Sequence, residues 1–459
     1  MVRDTASDRG RALGRARSVA LSLAALAPLL AATPALAEEA RKIDTGDTAW
    51  MLMSTVLVLL MTIPGLALFY GGMVRKKNVL ATMMQSFSIC AAVTVVWMVL
   101  GYSLAFGNGG AFIGDLSRAF LAGLGATWDK PFTLGAGTTN PTPMAIPETA
   151  FIMYQMSFAV ITPAVITGAF ADRMRFSALM LVMVLWSLAV YAPVAHWVWS
   201  ANGWLNALGT ADFAGGTVVE INSGVSGLVC ALVLGKRLGY GHDNMAPYNL
   251  VYAVTGASLL WVGWLGFNSG SAGGANAHAA MAVLATQVAA AGGTLGWMLA
   301  EWITRGKPTV LGAISGAVAG LVAITPAAGF VLPGPALLIG LLAGVLCLWA
   351  VTLLKPRLGY DDSLDAFGVH GVGGALGTLL TGLFAFGPLS GTADHPEGLY
   401  VGGAHQLLAQ VWGVLATVCY GGVATYILLK AVDAAVGLRV TRDEEREGLD
   451  EVLHGESLG

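Results

Sequence analysis

Glu220 and His370 are ionisable side chains set one to two turns inside long apolar runs. Charge is costly there, so such residues usually face a bundle interior and mark the path of an ion or a proton. A buried polar pair could also simply tie two helices together, although Ser, Thr or Asn supplies that contact at lower cost. Asp212 precedes Glu220 by eight residues, Asp362 precedes His370 by eight, and the two pairs are offset by 150 residues. Glycines keep the same offset, with Gly224 and Gly227 after Glu220 and Gly374 and Gly377 after His370. Asp212, followed by Phe213-Ala214-Gly215-Gly216-Thr217, fits a helix cap and a ligand contact equally.

The elements that hold these residues must be helices in lipid. Of the 459 residues, 56% are hydrophobic and 11% charged, against about 25% charged in a soluble domain. That excludes an ordinary soluble protein and a disordered chain. A net charge of -3 without a basic block excludes a nucleic-acid footprint. Cys90, Cys230, Cys347 and Cys419 each lie in an apolar run without a CxxC pair and read as small core residues, so neither a metal nor a cofactor is expected. Apolar runs near 49–70, 78–106, 149–171, 176–199, 216–235, 248–270, 277–303, 309–328, 332–354, 364–386 and 404–434 are long enough to cross a bilayer as helices. The expected fold is an all-α membrane protein with eleven transmembrane helices.

Residues 1–37 read as a secretory signal. They combine a basic start, an apolar stretch from Val19 to Ala32 and the small-residue motif Ala35-Leu36-Ala37, with cleavage before Glu38. A retained first span is disfavoured by the short apolar core and by Pro28 and Pro34. Positive charge then sets the orientation. One set of alternate connections carries Arg75, Lys76, Lys77, Arg173, Arg175, Lys236, Arg237, Arg305, Lys307, Lys355 and Arg357, with Lys430, Arg439, Arg442 and Arg446 at the end; the other keeps Arg41, Lys42, Arg118 and Lys130. This bias predicts an N-terminus outside and a C-terminus in the cytoplasm. Because an odd number of spans separates the two 150-offset copies, the second runs the opposite way, so spans 1–5 and 6–10 form an inverted repeat followed by a final helix. The glycine sets 312, 316, 320 and 340, 344 are faces for close helix packing. The outer stretch 107–147 lacks helical periodicity and is assigned no chemistry. The mixed-charge end, 441–459, reads as a solvated tail that could dock on its own loops or on a partner.

Several strings occur in order: Met61-Thr62-Ile63-Pro64-Gly65-Leu66-Ala67-Leu68-Phe69-Tyr70-Gly71-Gly72, Asp212-Phe213-Ala214-Gly215-Gly216-Thr217-Val218-Val219, Trp264-Leu265-Gly266-Phe267-Asn268-Ser269-Gly270-Ser271-Ala272-Gly273, Phe367-Gly368-Val369-His370-Gly371 and Glu445-Arg446-Glu447-Gly448-Leu449-Asp450. The chain resembles the ammonium transporter family (Amt/Mep/Rh), on its bacterial Amt branch, over essentially all of residues 38–459. The resemblance implies a homotrimer in the cell inner membrane, each protomer moving ammonium inward through its own pore. The family's outer aromatic cage matches Trp199 and Phe158, and its recruiting hydroxyl matches Ser271. The stacked rings of its gate match Phe158 and Phe267, Tyr191 matches a residue near the cage, and Asp212 matches the support beneath the site. Such a site suits ammonium, because aromatic faces attract a cation and a hydroxyl oxygen accepts its proton.

Two pore histidines are usual in the family. Here the second is His370, but Glu220 stands at the first position, a departure with parallels in some fungal members. Bare cation in an apolar pore is costly, so the implied mechanism is deprotonation near the gate, passage of ammonia and separate passage of the proton. Glu220 then serves as acceptor or relay with His370, or stabilises the intact cation and shifts pH optimum or selectivity. Methylammonium is a further candidate cargo. Residues 435–459 resemble the regulatory tail at which the trimeric PII signal protein (GlnK) docks. A rival reading is an ammonium sensor. Sensors often carry an added signalling domain, and a tail of about 25 residues is too short for one. An enzyme is not expected, for want of a nucleophile–base or HExxH motif.

Overall fold

The computed structural model describes residues 42–389 and 397–458, so the expected signal at 1–37 lies outside the described residues. The chain runs through helices α1 (Thr45–Met73) and α2 (Lys76–Phe106), a hairpin of β1 (Pro131–Leu134) and β2 (Thr142–Pro147), then α3 (Glu148–Ala169), α4 (Phe176–Ala207), α5 (Gly216–Leu234), α6 (Leu250–Ala272), α7 (Ala277–Arg305), α8 (Val310–Ile324), α9 (Pro333–Leu358), α10 (Phe367–Phe384) and α11 (Ala404–Val436). Two short helices, α12 (Arg442–Glu447) and α13 (Leu449–His454), end it. Polar caps set the starts: Asp44 accepts from Asp47 N, Asn249 from Val251 N and Tyr252 N, Asn276 from Ala279 N, and Thr309 from Gly312 N.

Ten of these helices are long and apolar enough to cross a membrane. The protein is a multi-pass membrane protein, and side chains such as Phe87, Val251, Ile303 and Ile427 are exposed on its flanks. The helix α8 is shorter than the run near 309–328 suggests, with 15 residues. Pro326 has no N–H to continue it, and the chain turns instead, with Ala327, Ala328 and Val331 buried as packing.

Glycine decides the closest contacts. A Cβ on Gly316 would lie 2.6 Å from Gly293 O, one on Gly344 2.7 Å from Trp297 N, and one on Gly340 2.8 Å from Ala289 Cα, so α7 packs tightly on both α8 and α9. Where α5 crosses α10 the contact is reciprocal. A Cβ on Gly224 would overlap Gly371 N and sit 3.0 Å from His370 C; one on Gly374 would sit 2.7 Å from Glu220 Cβ and 3.1 Å from Ile221 N.

Periodicity did not reveal the π-helical turns. Pro64 lies in one at Met61–Leu66; others span Trp97–Gly101, Ser187–Tyr191, Gly216–Ile221, Ala350–Leu354 and Phe367–Gly371. Such turns re-aim side chains and are frequent at functional sites. Two of them carry Glu220 and His370.

The 107–147 stretch is more ordered than its composition suggests. Its strands pair antiparallel, Thr133 opposite Pro143 and Leu134 opposite Thr142, and Trp197 Nε1 donates to Phe112 O at 2.7 Å. The end of the chain is likewise docked on its own loops. Leu449 N donates to Asn78 Oδ1 at 2.8 Å, the Asp450 carboxylate accepts from Leu80 N and Ala81 N at 3.1 and 2.7 Å, and Glu445 accepts from Leu238 N and Arg439, each at 2.7 Å.

Candidate functional site

A cavity of about 230 Å³ opens beside the β-hairpin, with Tyr154, Gln155, Trp199, Phe213 and Ser271 in its wall. Trp199 ends the main run of α4, and its Nε1 donates to Asp212 O at 3.0 Å. Ser271 sits in the tight turn Gly270–Ala272 that closes α6. Its Oγ lies 3.1 Å from Tyr154 Oη and 3.2 Å from Phe267 O. Aromatic faces attract a cation, and a hydroxyl oxygen accepts a hydrogen bond.

Below it the passage is closed. Phe158 on α3 stacks on Phe267 on α6 with ring centroids 4.2 Å apart and planes 19° apart, and Trp199 meets Phe158 edge-on at 5.8 Å. Trp264 packs on Phe267 and is held by Nε1 donating to Thr325 Oγ1 at 2.8 Å. Beneath the stacked rings lies a space of about 10 Å³ lined by Val219, Glu220, Trp264 and His370. One water needs roughly 10–15 Å³, so the space admits a single small molecule.

Glu220 Oε2 lies 2.7 Å from His370 Nδ1, and both residues are buried. The pair is therefore more than two matching positions in the sequence: helix α5 supplies one member and α10 the other, across the glycine crossing. His370 also lines a second cavity, of about 420 Å³, with Tyr70, Ser363, Asp365 and Val369 on the tail side. First cavity, ring pair, confined space, Glu220–His370 pair and second cavity thus lie in series.

Asp212 is 6% exposed and its carboxylate is occupied. It accepts from Gly215 N, Gly216 N and Thr217 N at 2.8, 2.6 and 2.8 Å, and from the Thr217 hydroxyl. Gly215 reaches φ 115°, a conformation glycine adopts freely, which lets the chain turn into α5. Of the two roles open to Asp212, the geometry is that of the cap. It fixes the start of the helix that carries Glu220, and through its carbonyl it holds Trp199. On the tail side, Asp361 accepts from Arg237 at 2.8 Å. Burial pushes this carboxyl up, but Arg237 outweighs that and holds it below the usual carboxylate range.

Trp199, Phe158, Ser271, Phe267, Glu220 and His370 are thus brought into one line. Tyr191 does not line these cavities; its buried ring packs against Trp97 and Trp186, and Trp97 in turn meets Phe106 in the wall of the first cavity. Sequence reasoning passed over Tyr154 and Gln155. Tyr154 lies one turn before Phe158, spacing that puts both on one helix face. The side-chain oxygen of Gln155 is buried without a protein partner.

Comparison with known proteins agrees with this arrangement. The family model described as Ammonium Transporter Family matches residues 49–458. An ammonium transporter of Bacillus subtilis is 50% identical over 413 residues, covering 90% of this chain and 98% of that protein. One of Aquifex aeolicus is 48% identical over 423 residues, covering 92% and 95%. Among solved structures, Saccharomyces cerevisiae Mep2 superposes with a TM-score of 0.79 at 37% identity, covering 88% of this chain and 89% of that one. A structure called Sensor Amt Protein does so with 0.79 at 28% identity, covering 89% and 98%. With its helices, its serial cavities and relatives this similar over nearly their whole length, the chain belongs to the ammonium transporter family.

Proposed function

We propose that the protein recruits ammonium in the first cavity, strips it of a proton near the Phe158–Phe267 gate, and delivers ammonia and the proton to the cytoplasm by way of the Glu220–His370 pair. The observation that carries this reading is the series itself: a cation-friendly cavity, stacked rings, a space for one small molecule, and an acid–base pair that reaches the second cavity. Trp199, with Phe158 packed against it, supplies an aromatic face and Ser271 an acceptor oxygen, which suits a cation that donates hydrogen bonds. A space this small, walled mostly by apolar side chains, favours the neutral molecule over the ion. Glu220 and His370 share a hydrogen bond and so form a pair through which a proton can be held or passed. Methylammonium fits the same recruiting chemistry.

Eleven crossing helices with the N-terminus outside and the C-terminus in the cytoplasm fit the charge bias, with α8 as the short member. An inverted repeat of α1–α5 and α6–α10 fits the reciprocal Gly224 and Gly374 contacts and the π-helical turns recurring in α4 and α9, and in α5 and α10. The cleaved signal of 1–37, a transmembrane domain of 38–434, a homotrimer in the inner membrane and a regulatory tail of 435–459 that meets a PII signal protein complete the proposal. The docked tail supports a regulatory role, because it holds the start of α2 and the loop that follows α5, the helix that carries Glu220.

The test is charge movement in proteoliposomes after an ammonium pulse, with potassium as control. A transient for ammonium and not for potassium, lost in Glu220→Gln, is expected. Rapid internal alkalinisation without current would indicate net passage of ammonia. The likeness to Sensor Amt Protein favours one second reading, a sensor with little net transport, and silence in both assays would select it.

A further inference from the structure

We propose that Tyr154 is a positioning residue that keeps the Ser271 hydroxyl turned as a hydrogen-bond acceptor toward the first cavity. The inference rests on the proposed recruitment of ammonium there. Tyr154 is 1% exposed and touches three members of the line: its ring meets Phe158 edge-on at 4.9 Å, and its hydroxyl reaches both Phe267 O and Ser271 Oγ.

The direction of the hydrogen bonds follows from counting protons. A phenol has one proton and two lone pairs to share. At 2.6 Å, Phe267 O is the closest acceptor to Tyr154 Oη, and a carbonyl cannot donate, so the phenol proton goes there. The contact of 3.1 Å between Tyr154 Oη and Ser271 Oγ is then made by the serine proton. Ser271 has one other acceptor in reach, the second lone pair of Phe267 O at 3.2 Å, which also lies within the protein. The serine proton thus points into the protein, and its lone pairs are left for the cavity. Serine donating into a chain that ends on a carbonyl is also a stronger acceptor than serine alone, because hydrogen bonds in series polarise one another. A cation that donates four hydrogen bonds gains from that orientation. Without the phenol oxygen, the hydroxyl is freer to turn its proton outward, toward the cation.

Tyr154→Phe keeps the ring on Phe158 and removes the hydroxyl alone. The measurement is ammonium-evoked charge movement, as a function of ammonium concentration, for the full chain and for Tyr154→Phe, Ser271→Ala and the double variant, each checked by gel filtration in detergent. Tyr154→Phe is expected to raise the half-saturating concentration about threefold to tenfold with the plateau unchanged, the effect of one hydrogen bond. Ser271→Ala is expected to raise it further, and the double variant to match Ser271→Ala. An unchanged half-saturation in Tyr154→Phe overturns the proposal. So does a lowered plateau alone, or the same multiple appearing again on the Ser271→Ala background, since support of the gate would act without the serine. Silence of the unsubstituted protein would overturn the transport reading instead. The four proteins would then be compared by ammonium-dependent thermal shift, where the nested pattern supports the role of Tyr154 and independent effects overturn it.

Discussion

Asp212 and Asp362 perform the same cap on two helices 150 residues apart. Asp212 accepts from Gly216 N and Thr217 N at 2.6 and 2.8 Å; Asp362 accepts from Ala366 N and Phe367 N at 3.1 and 2.8 Å. Each fixes the first turn of a helix that delivers one half of the Glu220–His370 pair. The matched caps explain why acidic residues stand at both sites although neither carboxylate is placed to meet cargo.

Removing the first cap should therefore disturb two things at once. Asp212→Ala frees the start of α5 and the Trp199 support, and loss of a side-chain cap costs about 0.5–2 kcal/mol. Uptake should fall to background while the protein still elutes as a folded species. Undiminished uptake by a well-folded variant would sink this account.

Glu220→His is expected to keep transport but to alter its pH profile or selectivity, because an imidazole replaces a carboxylate in the hydrogen-bonded pair. The check is ammonium-evoked current between mildly acid and mildly alkaline pH. A profile that overlays the unsubstituted one would make Glu220 a passive occupant of its position.

The crossing of α5 and α10 leaves no room for a methyl group at Gly224. Gly224→Ala should cost about 1–3 kcal/mol by overpacking and push His370 off Glu220. Thermal unfolding in detergent should show a lowered midpoint, with Gly334→Ala, where a Cβ meets open space, as the matched control. Equal midpoints for the two would contradict the close contact.

Asn78 links the tail to the buried charges: its Oδ1 accepts from Leu449 N, and its Nδ2 donates to Asp172 Oδ1 at 2.6 Å. Asn78→Ala removes both bonds, and losing about 1.4 kcal/mol of docking multiplies the undocked fraction about tenfold. Trypsin should then cut at Arg442 or Arg446 correspondingly faster. An unchanged rate would show that Asp450 and Glu445 hold the tail without Asn78.

Much of this protein was legible in its residues alone. Apolar runs of span length follow from a rule that acts locally, because lipid demands that each segment satisfy its own backbone. Glu220 and His370 stood out because charge inside an apolar run is rare at any position. What only the tertiary structure decided depends on partners far apart in the chain. The 2.7 Å approach of Glu220 to His370, the placement of Tyr191 against Trp97 and Trp186, the ending of α8 at Ile324 and the docking of the tail on α2 have no local signature. Tyr154 is the plainest case. A tyrosine in an apolar helix reads as core, and its importance appears only when α6 brings the Phe267 carbonyl and the Ser271 hydroxyl to the same phenol oxygen, because a hydrogen bond is set by distance and direction in space and not by spacing along the chain.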